Sequence, residues 1–150
     1  MQKVSLIALG RHHLDQAKRA SSGRSAETVF GGHEHHLRQT LIALRSGECL
    51  SEHENPGEAT VQVLVGRVLL RSGSAEWNGS PGDLLTVPDA RHALDAIEDS
   101  VIVLTVCTPP NLASTQKSRI SGRLAVDFVA PESWSKCNSS VTASHPASET

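Results

Sequence analysis

The chain contains no tyrosine, only two phenylalanines and two tryptophans, so its core cannot be built on stacked rings. Interior packing must come from Val, Leu, Ile and Ala, which suits thin, β-branched layers. Neither sign of charge dominates: the formal net charge is −2 and the signs are interspersed. The absence of a basic stripe removes the phosphate electrostatics that a nucleic-acid binder needs. Long apolar runs are also missing. Val4 to Leu9 is far too short to span a membrane, and Arg11, His12 and His13 end it where a signal peptide would continue. The three cysteines, Cys49, Cys107 and Cys137, form no Cys-x-x-Cys pair, so neither a zinc site nor a redox couple is indicated. They read as free thiols of a soluble, cytoplasmic protein without a membrane or nucleic-acid partner.

A chain of 150 residues accommodates one domain with a real core. Residues 4–9 read as a short strand and residues 13–20 as about two helical turns before the breakers Ser21-Ser22-Gly23. Together they make residues 1–27 an N-terminal arm. From Thr28 onwards, short β-branched runs alternate with turn clusters: His36 to Leu44, Cys49 to Asn55, Thr60 to Val65, Arg67 to Arg71, Ala75 to Trp77, Asp83 to Val87, Ala93 to Ile97 and Ser100 to Cys107. Such spacing, with no convincing helix among the strands, predicts an all-β sandwich or barrel of jelly-roll type over residues 28–108. Residues 109–150 are rich in Ser, Thr, Ala and Asn and read as a largely disordered tail. Only Leu124 to Val129 has the pattern of an added edge strand.

Two segments concentrate the chemistry, GECLSEHENPGEATVQVLVG from Gly47 to Gly66 and GDLLTVPDARH from Gly82 to His92. Alternation along an extended strand puts His53 and Asn55 on one face, with Cys49 on it as well, and Glu52, Glu54 and Glu58 on the other. His92, at the end of a later strand, is placed to approach the same point from across a barrel. Two neutral imidazoles in an apolar pocket are good ligands for a borderline divalent metal; each also reads as a hydrogen-bonded structural residue. Asn55 offers a carbonyl oxygen. Glu58 would face outward unless the Pro56-Gly57 turn shifts the register. His33 and His35 share a face if extended, and read either as a supplement from a neighbouring strand or as an exposed polar strand end.

Together the two segments resemble the two motifs of the cupin superfamily. In the first, Gly47, His53 and Gly66 fall at the family's distances, while Asn55 stands where a second histidine belongs and Ala59 where a glutamate belongs. In the second, Gly82 and Pro88 fit, Ala90 replaces a glycine and His92 arrives one residue early. The resemblance implies a cupin-type jelly-roll β-barrel and a homodimer, paired through sheet faces or an exchanged N-terminal strand. Cupins with the full motif hold one divalent ion, iron, manganese, nickel, copper or zinc, on three histidines and a glutamate. Here the resemblance implies His53 and His92 as metal ligands, with Asn55, Glu58, His33 and His35 as pocket residues or auxiliary ligands. It leaves two functions open. One is a protein binding a small molecule in the barrel, with or without metal; the other is a metal-dependent enzyme, dioxygenase- or isomerase-like, acting on a small organic substrate.

Overall fold

The computed structural model describes residues 3–32, 34–55 and 57–108. The expected tail, with the strand at Leu124 to Val129, lies outside them, as does His33. Helix α1 (Leu6–Arg19) is followed by nine strands: β1 (Arg24–Phe30), β2 (Leu37–Leu44), β3 (Cys49–His53), β4 (Glu58–Val65), β5 (Val68–Ser72), β6 (Ala75–Gly79), β7 (Leu84–Val87), β8 (His92–Ala96) and β9 (Ser100–Cys107). The strands form two antiparallel sheets, one ordered β1-β2-β9-β4-β7 and the other β3-β8-β5-β6. Their inner faces enclose Ile42, Leu44, Val61, Val63, Val68, Leu70, Leu94 and Ile102. Each such side chain taken fully out of water contributes roughly 1.5–3 kcal/mol.

The strands from residue 37 onwards lie where the turn signals put them. Residues 13–19 are helical, as expected, while residues 6–9 and 24–30 differ from the expectation. Residues 6–9 belong to α1, not to a strand, because Leu6, Leu9, Leu14 and Ala17 recur at helical spacing and land on one face. A short run such as VSLIAL carries no period of its own; the stripe is visible only once the window extends to Ala17. Ser5 caps the start, its Oγ accepting from the Ala8 N–H at 3.4 Å, and Lys18 and Arg19 occupy the last turn. That apolar face covers Leu41, Ala43 and Val101 on the outer side of the first sheet, forming a second cluster of buried residues. Gly10 permits the close approach, since a Cβ there would meet Val101 Cγ1 at 3.0 Å. With residues 6–9 helical, the expected exchange of an N-terminal strand between subunits has no strand to exchange. Strand β1 is likewise an edge strand of the first sheet, paired with β2 from Arg24 opposite Leu44, rather than part of a flexible arm.

A hydrogen-bonded clasp holds the helix in place. The buried His13 bonds through Nδ1 to Ser25 Oγ at 2.7 Å and through Nε2 to Glu27 Oε2 at 2.9 Å, both on β1. At the helix end Lys18 Nζ lies 2.9 Å from Asp99, whose carboxylate also accepts the Ser46 N–H. The Ser46 N–H first, and Lys18 second, hold the Asp99 carboxyl below its usual range. Cys49 is disulfide-bonded and Cys107 is free, which corrects the reading of three free thiols. Spacing alone carries no pairing information for three cysteines, and the thiol argument for a reducing compartment lapses with it. Among the described residues no helix is long and apolar enough to cross a membrane.

Candidate functional site

The two histidines are brought together as facing partners of neighbouring strands in one sheet, not from opposite walls of the barrel. Leu50 of β3 pairs with Leu94 of β8, and an unbroken antiparallel register would set Glu52 opposite His92. A register shift between Leu50 and His53 sets His53 there instead. This one-residue bulge turns His53 to the inner face shared by Leu50, Leu94 and His92, and leaves Cys49 on the other face. The imidazole centroids are 4.4 Å apart with the rings tilted by 58°. His92 is buried and His53 exposed, so the pair runs from the barrel interior to its mouth.

Hydrogen bonds orient both rings. His53 Nδ1 lies 2.9 Å from the Ser51 carbonyl and His92 Nδ1 lies 3.0 Å from the Ala90 carbonyl. A carbonyl only accepts, so each Nδ1 carries the proton and each neutral ring keeps the lone pair on Nε2. Burial pushes the His92 imidazole below its ordinary value and the neighbouring His53 adds to this, while the Ala90 carbonyl opposes it. His92 is thereby favoured as the neutral ring, with Nε2 as an acceptor.

The other residues singled out from the sequence do not join the pair. Asn55 is tied into the loop between β3 and β4, its Oδ1 accepting the Gly57 N–H at 3.2 Å and its Nδ2 donating to the Pro88 carbonyl at 3.4 Å. It links the ends of β3 and β7. Glu58 is exposed and faces outward, because its neighbour Ala59 is the buried residue of that pair. His35 is exposed, its ring set edge-on to Phe30 at 5.3 Å. Glu52 is engaged by Arg91 at 3.2 Å on the outer surface.

Around the histidines the mouth is lined from the first sheet by Ala59, with Val106 and Val87 in register on either side. One level deeper lie Thr40, Leu104, Val61 and Leu85, facing Leu50, Leu94, Leu70 and Trp77 of the second sheet. The buried Thr40 hydroxyl is 3.5 Å from that of Thr28. Sequence reasoning passed over Arg38 and Thr40, although both alternate with the inward Ile42 and Leu44 of the same strand. That parity was the available signal.

The arrangement of two antiparallel sheets matches known structures. A conserved protein of unknown function from Streptococcus pyogenes superposes with a TM-score of 0.54 at 24% identity, covering 60% of this chain and 78% of that one. A cupin superfamily protein from Desulfitobacterium hafniense gives 0.53 at 18% identity, over 57% and 78%. The chain has the cupin fold. KdgF from Halomonas sp. shares it with a TM-score of 0.50 at 19% identity, over 59% of this chain and 82% of that one. No family model and no curated protein matches the sequence.

Within the cupin fold the donor set of this chain departs from a metal centre. The glutamate position holds the buried methyl of Ala59, and the second-histidine position holds an amide already bonded at both ends. Among the described residues no three His, Cys, Asp or Glu side chains converge. Two imidazoles do not fit a resident ion that expects four protein ligands.

Proposed function

We propose that this cupin-fold chain binds a small organic molecule at the barrel mouth, with His53 and His92 as its hydrogen-bonding groups. The observation that carries the proposal is the pair of Nε2 lone pairs, which have no partner among the described residues, above a floor of Leu, Val and Thr40. Few polar groups placed over an apolar lining are the composition of a small-molecule site. The alternative is a metal-dependent enzyme of dioxygenase or isomerase type with His53 and His92 as ligands. The backbone carbonyls behind both rings support it, since metal-bound imidazoles are oriented that way, but the donor set does not.

Elemental mass spectrometry on protein purified without tag or chelator separates the two. Less than about a tenth of an equivalent of metal, with none retained after reconstitution, is the expected result given the loss of two ligands. Near one equivalent of iron, manganese, nickel, copper or zinc reverses the order of the readings. His53→Ala then decides whether that ion sits at the pair, because retention of metal removes His53 from the ligands. A homodimer is part of the proposal, supported by the exposed Val65, Leu84 and Ile97 at the end of the barrel away from the histidines. A monomer in sedimentation equilibrium at micromolar concentration rejects it.

A further inference from the structure

One inward-facing row at the barrel mouth carries a single formal charge, and it is positive. Register places Arg38 on the inner face of β2, opposite Val106, which lies opposite Ala59, which lies opposite Val87. That row is level with His53 and His92, because the starts of β2, β4 and β8 and the ends of β3, β7 and β9 meet at this end. Its carboxylate slot is Ala59, and the adjacent Glu58 points away. Arg45, Arg71 and Arg91 each hold a carboxylate, Glu48, Asp95 and Glu52 respectively. Arg38, half-buried, has no such counter-charge among the described residues. A guanidinium against an apolar wall is costly to leave unmatched, and its planar fork suits a two-oxygen acceptor.

Resting on the pocket proposed above, we infer that its ligand is an organic carboxylate with an apolar body. The carboxylate sits at the rim on the Arg38 guanidinium, which donates to it, beside the imidazoles, whose Nε2 atoms are acceptors and make no hydrogen bond to it. Facing sheets stand about 10 Å apart, a gap that an extended arginine and an imidazole narrow to the width of such a head group. The body descends between Leu104 and Val61 on one side and Leu94 and Leu70 on the other. An inorganic anion would gain nothing from that floor. With Ala59 in place of an acidic side chain, Arg38 is the one charged residue of the row Arg38, Val106, Ala59 and Val87.

The test uses the full chain, labelled with nitrogen-15, titrated with hexanoate and with its neutral counterpart hexanamide. Histidine side-chain and Arg38 Nε signals are followed by NMR. Hexanoate is expected to shift the His53, His92 and Arg38 signals and to bind at least about tenfold tighter than hexanamide, the scale of one charge-assisted hydrogen bond. Arg38→Gln is expected to abolish that preference, and Arg38→Lys to retain part of it, with circular dichroism confirming the fold of each. Should the glutamine variant not fold, the wild-type ratio of the two affinities decides. Equal binding of the probes, or a preference that survives Arg38→Gln, overturns the anion assignment and leaves the pocket standing. No shift at either histidine with either probe overturns the pocket and the anion together.

Discussion

At the scale of single residues, the proposed site turns on His92 and Ala59. His92 is buried as a neutral ring, its proton affinity lowered by burial first and by His53 second. Above the ordinary imidazole value of 6.5 both the folded and the unfolded chain carry it neutral. As pH falls through that value the unfolded chain takes up the proton first, so stability declines until the folded-state value is passed and then levels off. In His92→Asn this part of the pH dependence should vanish as pH falls through the ordinary imidazole value, as read from urea midpoints; an unchanged slope would assign the dependence to other groups. Ala59 and Asn55 occupy the positions of the missing ligands. The double variant Ala59→Glu, Asn55→His is therefore expected to take up a divalent ion at least about tenfold tighter than the wild type, measured by competition with a chromophoric chelator. Equal affinities would mean that the mouth is too distorted to accept the restored set.

At the scale of elements, the motif glycines serve the turns rather than the site. Gly66, between β4 and β5, has φ +76°, and a Cβ there would lie 2.2 Å from the Asp99 carbonyl oxygen and 2.6 Å from Ser100 Oγ. Backbone conformation and space both exclude a side chain. Gly66→Ala should cost about 2 kcal/mol or more in denaturant unfolding, with no change in which ligands are preferred by the folded fraction. The bulge in β3 is the other decisive local feature, since it alone places His53 rather than Glu52 opposite His92. The neighbouring outer surface shows the consequence, with Glu52 paired to Arg91.

At the scale of the whole molecule, the N-terminal helix is part of the structure it covers. Leu41, Ala43 and Val101 are completely buried on the outer face of the first sheet, and the His13–Ser25–Glu27 clasp and the Lys18–Asp99 ion pair fasten the helix at two places. A chain lacking residues 1–22 is expected to lose about 3 kcal/mol or more and to self-associate through the uncovered apolar face. Urea unfolding and sedimentation velocity report both effects. An unchanged urea midpoint would show that the helix adds nothing to the stability of the barrel.

The strand count after residue 37, the turns and the jelly-roll class were legible in the sequence, which also singled out the two histidines that the fold sets side by side. The strands and turns follow from local physics, alternation of β-branched residues with glycine and proline at turns, and the histidines from the resemblance to the two cupin motifs. What the sequence left open depends on contacts between segments far apart in the chain. The second half of helix α1 is legible in the sequence, but residues 6–9 read as a strand because the stripe is only weakly apolar and becomes decisive when Leu41 and Val101 come to lie beneath it. The pairing of the histidines within one sheet follows from a bulge, and a bulge is a property of two strands in register rather than of one. Arg38 gains its meaning in the same way. Alternation alone puts it on a face, but only the folded sheets show that this face closes over a level where the expected carboxylate is absent.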